Sequence, residues 1–199
     1  VLLYGANIGQ NGANISIEKA IHAMVPERYP MDKMGLELSL KSSMFNDKEN
    51  FYWTMEIENL KRQFKEKVSP HLESGINHMS VFALAPQPLL IELGRLLSDI
   101  QAAEVYQLHR EPSDWKWQQN PNDINYSVIP PEIHSDIVSL NISLSATIDN
   151  SRIRDVLGNN VSIWTLTISK PYNDFLKSKE QLGAFREEFR KLMDHIKVK

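Results

Sequence analysis

The fold is decided by residues 77–117, which open with NHMSVFALAPQP, continue through an apolar helical segment to VYQLHR at 105–110, and close with WKW at 115–117. Residues 78–85 predict a strand, 89–98 a helix and 103–108 a second strand. This strand-helix-strand unit is typical of α/β proteins. In their open sheets, ligands bind in the crevice beyond the carboxyl ends of the strands.

Strand and helix patterns alternate along the rest of the chain. Further strands are predicted at 1–4, 36–40, 137–145 and 161–168, and helices at 16–24, 47–68 (capped by Asn46 or Asp47), 151–157 and 175–196. Gly158 is a predicted C-cap, and residues 109–135 have no clear periodicity. The alternation predicts an α/β, Rossmann-like fold: a mostly parallel sheet with helices on both faces.

Composition excludes several classes of protein. The 199 residues fit one domain or a large part of one. A net charge of −3 argues against a protein that coats long DNA or RNA, although a small nucleotide needs only a few local cations. The absence of cysteine excludes disulfides and thiolate chemistry. No apolar run approaches the ~20 residues of a membrane span.

Basic residues cluster on the helix predicted at 47–68. Its apolar face carries residues at spacings of three and four, and its other face carries Lys61, Arg62, Lys65 and Lys67. Such a face is typically solvated, so we predict no ligand site there.

Patterns for catalysis and metal binding are missing from the sequence. His134, Ser135 and Asp136 adjoin in sequence, whereas the members of a catalytic triad converge from separate positions. The six histidines lack the spacing of metal ligands. Neither a P-loop nor the dinucleotide-binding GxGxxG pattern occurs. We therefore predict no catalytic residue, no metal and no cofactor.

Groups suited to an anionic ligand follow the predicted strands. Pro86 and Gln87 begin a helix, where backbone amides and the helix dipole favour an anion. Arg110 can pair with phosphate, and His109 can stack or donate a hydrogen bond. The alternatives are a stiff turn and an ordinary surface pair.

Aromatic residues complete the candidate set. Trp115 and Trp117 can stack a base or pack into the core. If all strands run parallel, the ends of four of them meet at one rim, including the opening loop with Gln10 and Asn11. The predicted ligand-binding residues are Tyr4, Asn7, Pro86, Gln87, Tyr106, His109, Arg110, Trp115, Trp117, Lys170 and Tyr172.

The segments HMSVFALAPQPLLIELGRLL and VYQLHREPSDWKW resemble the SAVED domain, the nucleotide-sensing module of effectors in the bacterial anti-phage system CBASS. The upstream segments AIHAMVPERYP, LELSL and FYWTMEIENLKRQF resemble the branch in which this domain is fused behind an HNH nuclease.

This resemblance implies a fold of two CARF-like Rossmann units and a cytoplasmic, bacterial sensor. Its ligand is a cyclic oligonucleotide, and the HNH branch implies a cyclic dinucleotide such as cyclic GMP-AMP. Binding then drives self-association, from dimer to tetramer or filament, and activates the nuclease. The resemblance supports residues 86–88 and 106–110 as parts of the pocket.

The boundaries of the chain suggest a fragment. It begins in mid-strand and ends before the second Pro-containing strand-turn-helix unit expected of the family. It also lacks the histidine-rich ββα-metal pattern of an HNH nuclease. We therefore expect a chain that senses without cutting, with no membrane partner and with DNA contact only through an absent nuclease domain.

Two rival functions remain open. A phosphodiesterase that linearises the same ligand would need a general acid or base, and His109 is the one good candidate. An interaction scaffold would bind no nucleotide at all.

Overall fold

A computed structural model describes residues 1–9, 12–40, 47–49, 51–98, 102–119 and 122–197. The chain divides into two compact units, Val1–Lys116 and Trp117–Lys199. Within the described residues, no helix is long and apolar enough to cross a membrane.

The first unit alternates strands and helices. Its elements are β1 (Leu2–Ala6), α1 (Ile17–Met24), β2 (Leu36–Leu40), α2 (Tyr52–Lys67), α3 (Ser69–Glu73), β3 (Met79–Leu84), α4 (Gln87–Leu97) and β4 (Ala103–Tyr106). The short helix α3 was not predicted.

All four strands of the first unit run parallel, in the order β2-β1-β3-β4. This confirms the predicted α/β, Rossmann-like fold. The chain steps from β1 to β2 in one direction, and from β2 back past β1 to β3 in the other. Because parallel crossovers are right-handed, the change of direction puts α1 on one face and α2 and α4 on the opposite face. The sheet therefore has a topological switch point between β1 and β3.

One apolar core lies between the sheet and helices α2 and α4. The strands contribute Leu2, Tyr4 and Leu38, α2 contributes Leu60 and Phe64, and α4 contributes Leu89, Leu93 and Leu97. The buried stripe of α2 follows the spacing of three and four that predicted the helix.

The outer face of α2 is solvated, as predicted. Lys61 pairs with Glu58 at 2.7 Å, and Arg62 pairs with Glu66 at 3.1 Å, all with exposed side chains. Local acidic partners thus balance two of the four basic residues, which is a common arrangement on an exposed helix face.

Helix α2 also protects the free edge of β2. The Ser39 N–H donates to Gln63 Oε1 at 3.1 Å, and Gln63 Nε2 donates to the Ser39 carbonyl at 2.9 Å. Lys67 Nζ donates to the Glu37 carbonyl at 2.9 Å. These bonds satisfy backbone groups that an edge strand otherwise exposes to a second chain.

The second unit contains a separate sheet. Its elements are β5 (Tyr126–Ile129), β6 (Val138–Ser143), α5 (Asn150–Leu157), β7 (Ser162–Ile168) and α6 (Lys179–Lys197). The strand order is β5-β7-β6, with β6 parallel and β5 antiparallel to β7. The expectation that the strands at 137–145 and 161–168 join the parallel sheet is therefore wrong.

Strand β5 lies inside the stretch that lacked periodicity. Ser127, Val128 and Ile129 are all exposed, so β5 has no alternation of apolar and polar residues to reveal it. The predicted C-cap is confirmed: Gly158 has a φ of 84°, and its N–H donates to the Arg154 carbonyl at 2.8 Å.

Helix α6 begins four residues later than the predicted start at residue 175 because Ser178 and Gln181 form a capping box. The Gln181 N–H donates to Ser178 Oγ at 3.3 Å, and the Ser178 N–H donates to Gln181 Oε1 at 3.3 Å. The Ser-x-x-Gln spacing is a known start signal for a helix.

Candidate functional site

The carboxyl ends of β1 and β3 lie side by side at the switch point. Gly5 is paired with Leu84, so the chain continues from adjacent strands into Asn7 and into Pro86. Asn7 and Pro86 are half-buried and Gln87 is exposed. Parallel doubly wound sheets bind ligands at this position. Gln10 and Asn11 lie outside the described residues.

The start of α4 presents one backbone donor to this crevice. Pro86 is the N-cap, with extended φ and ψ of −56° and 143° and no side-chain cap bond. Its carbonyl accepts from the N–H groups of Leu89 and Leu90 at 3.0 and 3.2 Å. Pro88 has no N–H, so the Gln87 amide is the donor that remains at this helix start. The sequence had suggested several amides.

Two of the predicted aromatic rings are packed in the interior of the first unit. Tyr106 stacks on Phe82 with ring centroids 4.4 Å apart. Trp115 meets Phe82 edge to face at 5.4 Å, and both Tyr106 and Trp115 are 2% exposed. Trp115 thus takes the core-packing alternative, whereas the burial of Tyr106 was not predicted. A base could stack on either ring only after a rearrangement.

His109 and Arg110 adjoin in sequence but differ in environment. His109 is 1% exposed, and its backbone N–H donates to the Asp114 carbonyl at 2.8 Å. This backbone bond folds the loop after β4 back on itself, and Asp114 Oδ1 accepts from the Trp115 N–H at 2.7 Å. Arg110 is exposed at the carboxyl edge of the sheet, where a phosphate can reach it.

Tyr4 belongs to a buried polar cluster together with Tyr52 and Glu56. The exposed fractions of these side chains are 0%, 4% and 4%, respectively. Burial raises the pKa of Tyr4, and the nearby Glu56 and Tyr52 raise it further. Burial and Glu56 also raise the pKa of Tyr52. Tyr4 belongs to the core against which α2 packs through Leu60, and Tyr52, Glu56 and Leu60 follow one another at spacings of four on the buried stripe of that helix, so the three groups lie on one face of the sheet.

Two polar atoms of this cluster are left unsatisfied. Tyr4 Oη and Glu56 Oε2 are buried and have no hydrogen-bond partner among the described residues. An unsatisfied buried polar group costs about 1–3 kcal/mol. The sequence analysis missed Glu56, although its position four residues before the core residue Leu60 places it on the apolar stripe of α2.

The remaining predicted site residues belong to the second unit. Trp117 is half-buried, and Lys170 and Tyr172 are exposed beyond the end of β7. The Tyr172 N–H donates to the Leu144 carbonyl at 3.2 Å. Of the four strand ends expected at one rim, those of β1, β3 and β4 share the parallel sheet, whereas the strand before Lys170 does not.

A cleft of about 340 Å³ lies at the opposite, amino-terminal edge of the parallel sheet. Its lining includes the starts of β1, β2 and β3, together with Tyr29, His71 and His78. The sequence analysis did not identify it. It lies apart from the carboxyl-edge crevice, where the predicted binding residues of this unit cluster.

The chain matches a known protein family. Residues 60–199 match the family described as "SAVED: SMODS-associated and fused to various effectors sensor domain". The match begins within α2 and includes β3, α4, β4 and the whole second unit. No curated protein matches the chain. Because the match spans more than half of its residues, the chain belongs to the SAVED family of sensor domains.

Proposed function

We propose that this chain senses a cyclic oligonucleotide, which binds at the carboxyl edge of the parallel sheet. The observation that carries the proposal is the switch point between β1 and β3, flanked by Asn7 and Gln87, in a member of a sensor family. The ligand is a cyclic dinucleotide such as cyclic GMP-AMP.

The phosphates of the ligand meet two donors in this proposal. The Gln87 N–H lies at the positive end of the α4 dipole and binds one phosphate. Arg110, beyond the end of β4, binds the other through its guanidinium. Because β3 and β4 are neighbours, both donors project from one edge of the sheet.

Binding is proposed to act through assembly. The family description speaks of fusion to various effectors, which supports a role in which occupancy of the sensor controls a second domain. In our proposal, ligand-bound protomers associate into a dimer, tetramer or filament and activate a fused HNH nuclease. The setting is CBASS anti-phage defence in the bacterial cytoplasm.

The chain is proposed to bind its ligand without cleaving it. The competing phosphodiesterase activity would require His109 at a phosphate, and His109 is 1% exposed. The loop after β4 would have to open before the imidazole could act. Incubation of the chain with cyclic GMP-AMP, followed by chromatography, is expected to return only the cyclic compound. Linear product would favour the enzyme.

The experiment that tests the proposal is isothermal titration of the chain with cyclic di-, tri- and tetranucleotides, with linear dinucleotides as controls. We expect one cyclic ligand to bind tightly and its linear form to bind weakly or not at all. Equal binding of cyclic and linear forms, or no binding by any of them, would refute the sensor and favour a scaffold.

A further inference from the structure

We propose that Glu56 recognises a guanine base of the bound nucleotide through hydrogen bonds and that the hydroxyl of Tyr4 contributes a further hydrogen bond. This inference rests on the proposed function and adds base specificity to it. It comes from the two unsatisfied atoms, Glu56 Oε2 and Tyr4 Oη.

The position of the cluster connects it with the ligand crevice. Tyr4 lies three residues before Asn7, on the strand that borders the switch point. Helix α2 returns the chain from the carboxyl edge to the amino edge, so its first turns lie at the carboxyl edge. Glu56 and Tyr52 are in those turns. Both residues therefore lie toward the carboxyl edge of the sheet, where the ligand is expected.

The chemistry of the two groups selects one base. In the proposed complex Glu56 binds as a carboxylate, which only accepts hydrogen bonds and can accept two in parallel. The Watson–Crick edge of guanine carries two adjacent donors, N1–H and the N2 amino group, whereas adenine carries a donor beside an acceptor. The hydroxyl of Tyr4 can donate to guanine O6. Guanine therefore satisfies both orphaned groups, and adenine does not.

The start of α2 provides a route to Glu56. The N-cap is Phe51, which makes no side-chain cap bond, and the first turn contains no acidic residue. Phe51 is 73% exposed, so it adds little packing at this point. A helix end without a cap lacks the side-chain hydrogen bond that holds its first turn, so the cost of opening comes mainly from exposing Tyr52, which is 4% exposed. Opening of the first turn would uncover the cluster to an entering base.

The decisive experiment compares guanine with hypoxanthine, the base of inosine, which lacks the N2 amino group. The full chain is titrated with cyclic GMP-AMP, its inosine counterpart and cyclic di-AMP. For the wild-type protein, we expect the guanine ligand to bind about tenfold more tightly than the inosine ligand, because one hydrogen bond to a charged group is lost. Cyclic di-AMP should bind more weakly still.

Substitution of Glu56 tests the assignment directly. Glu56→Gln should bring the ratio of guanine to inosine affinity to near unity, because an amide cannot accept both donors. Glu58→Gln is the matched control. Glu58 lies on the same helix with an exposed side chain paired to Lys61, so this variant should retain the wild-type ratio.

Tyr4→Phe provides an independent test should Glu56→Gln fail to fold. Guanine and inosine both carry O6, so this variant should lose about fivefold in affinity for both ligands and leave their ratio unchanged. An unchanged affinity in Tyr4→Phe, or an unchanged ratio in a folded Glu56→Gln, would overturn the inference and leave the sensor intact. A wild-type chain that prefers cyclic di-AMP would do the same. Failure of every cyclic nucleotide to bind would refute the sensor itself and the inference with it.

Discussion

Phe82 and Tyr106 occupy directly opposed positions on β3 and β4, and their rings stack with planes inclined by 15°. Trp115 packs its edge against the same phenylalanine at 5.4 Å. Phe82 is fully buried and links the sheet to the loop that follows β4. This ring therefore anchors the loop that carries Arg110.

Phe82→Ala should lower the free energy of unfolding by about 3–5 kcal/mol, because it leaves a cavity beneath two aromatic rings. Urea denaturation followed by tryptophan fluorescence measures the loss. Phe51→Ala removes a 73% exposed ring and serves as the control, with an expected change below about 0.5 kcal/mol. Equal losses in the two variants would contradict the assigned role of Phe82.

Ser178→Ala should destabilise α6 by about 1 kcal/mol, because it removes the acceptor for the Gln181 N–H. Thermal unfolding followed by helical circular dichroism measures the effect. Ser145→Ala, at an exposed serine outside any helix, should leave the melting temperature nearly unchanged. If Ser178→Ala melts like the wild type, the capping box does not stabilise α6.

The sequence predicted the elements whose buried faces repeat regularly. Helix α2 was predictable because its buried residues repeat with the helical period of 3.6 residues. Strand β3 was predictable because its apolar residues form a continuous run. Strand β5 was not predicted because three of its four residues face solvent. Periodicity also cannot tell which sheet a strand joins, since that depends on long-range pairing. Lys170 was therefore assigned to a rim that its strand does not reach.

The candidate site was predictable only in part, for a related reason. Strand ends identify Asn7, Gln87 and Arg110, because the topology of a parallel sheet brings carboxyl ends together. Burial of His109 depends on a loop that closes through a backbone bond to Asp114, which leaves no trace in residue type. The proximity of Tyr4 and Glu56 likewise arises from packing between elements distant in sequence.

Tyr4→Phe should raise the free energy of unfolding by about 1 kcal/mol at pH 8, because it removes a buried hydroxyl that has no partner among the described residues. The same substitution should also alter how the free energy of unfolding depends on pH in alkaline solution. The folded state raises the pKa of Tyr4, so ionisation of this tyrosine has no effect on stability below the unfolded pKa of about 10 and lowers the free energy of unfolding as the pH rises further.

The wild-type chain should therefore lose stability relative to Tyr4→Phe above pH 10, by at most about 1.4 kcal/mol per pH unit. Urea unfolding of both proteins at pH 8 and at pH 11 measures this difference. If the difference in free energy of unfolding between the two proteins is the same at both pH values, the pKa of Tyr4 is the same in the folded and unfolded states.

Arg110→Ala should weaken binding of the cyclic ligand by about 1.5–3 kcal/mol if the guanidinium pairs with a phosphate. Because Arg110 is exposed, the substitution should change the free energy of unfolding by less than about 0.5 kcal/mol. Titration calorimetry measures the affinity at two salt concentrations. Arg186→Ala, at an exposed arginine on α6, is the matched control and should bind like the wild type. Unchanged affinity in Arg110→Ala would remove this residue from the site.

Gln87→Pro isolates the backbone donor at the start of α4. Proline is well tolerated in the first position of a helix, so the variant should fold with a melting temperature close to that of the wild type. It removes the one N–H that Pro86 and Pro88 leave available there, and affinity for the cyclic ligand should fall by about tenfold or more. Gln87→Ala retains that N–H and removes only the side chain. Retained binding in Gln87→Ala beside lost binding in Gln87→Pro would assign the contact to the backbone amide. Equal losses in both variants would assign it to the side-chain amide instead, and the phosphate would then lie off the axis of the α4 dipole.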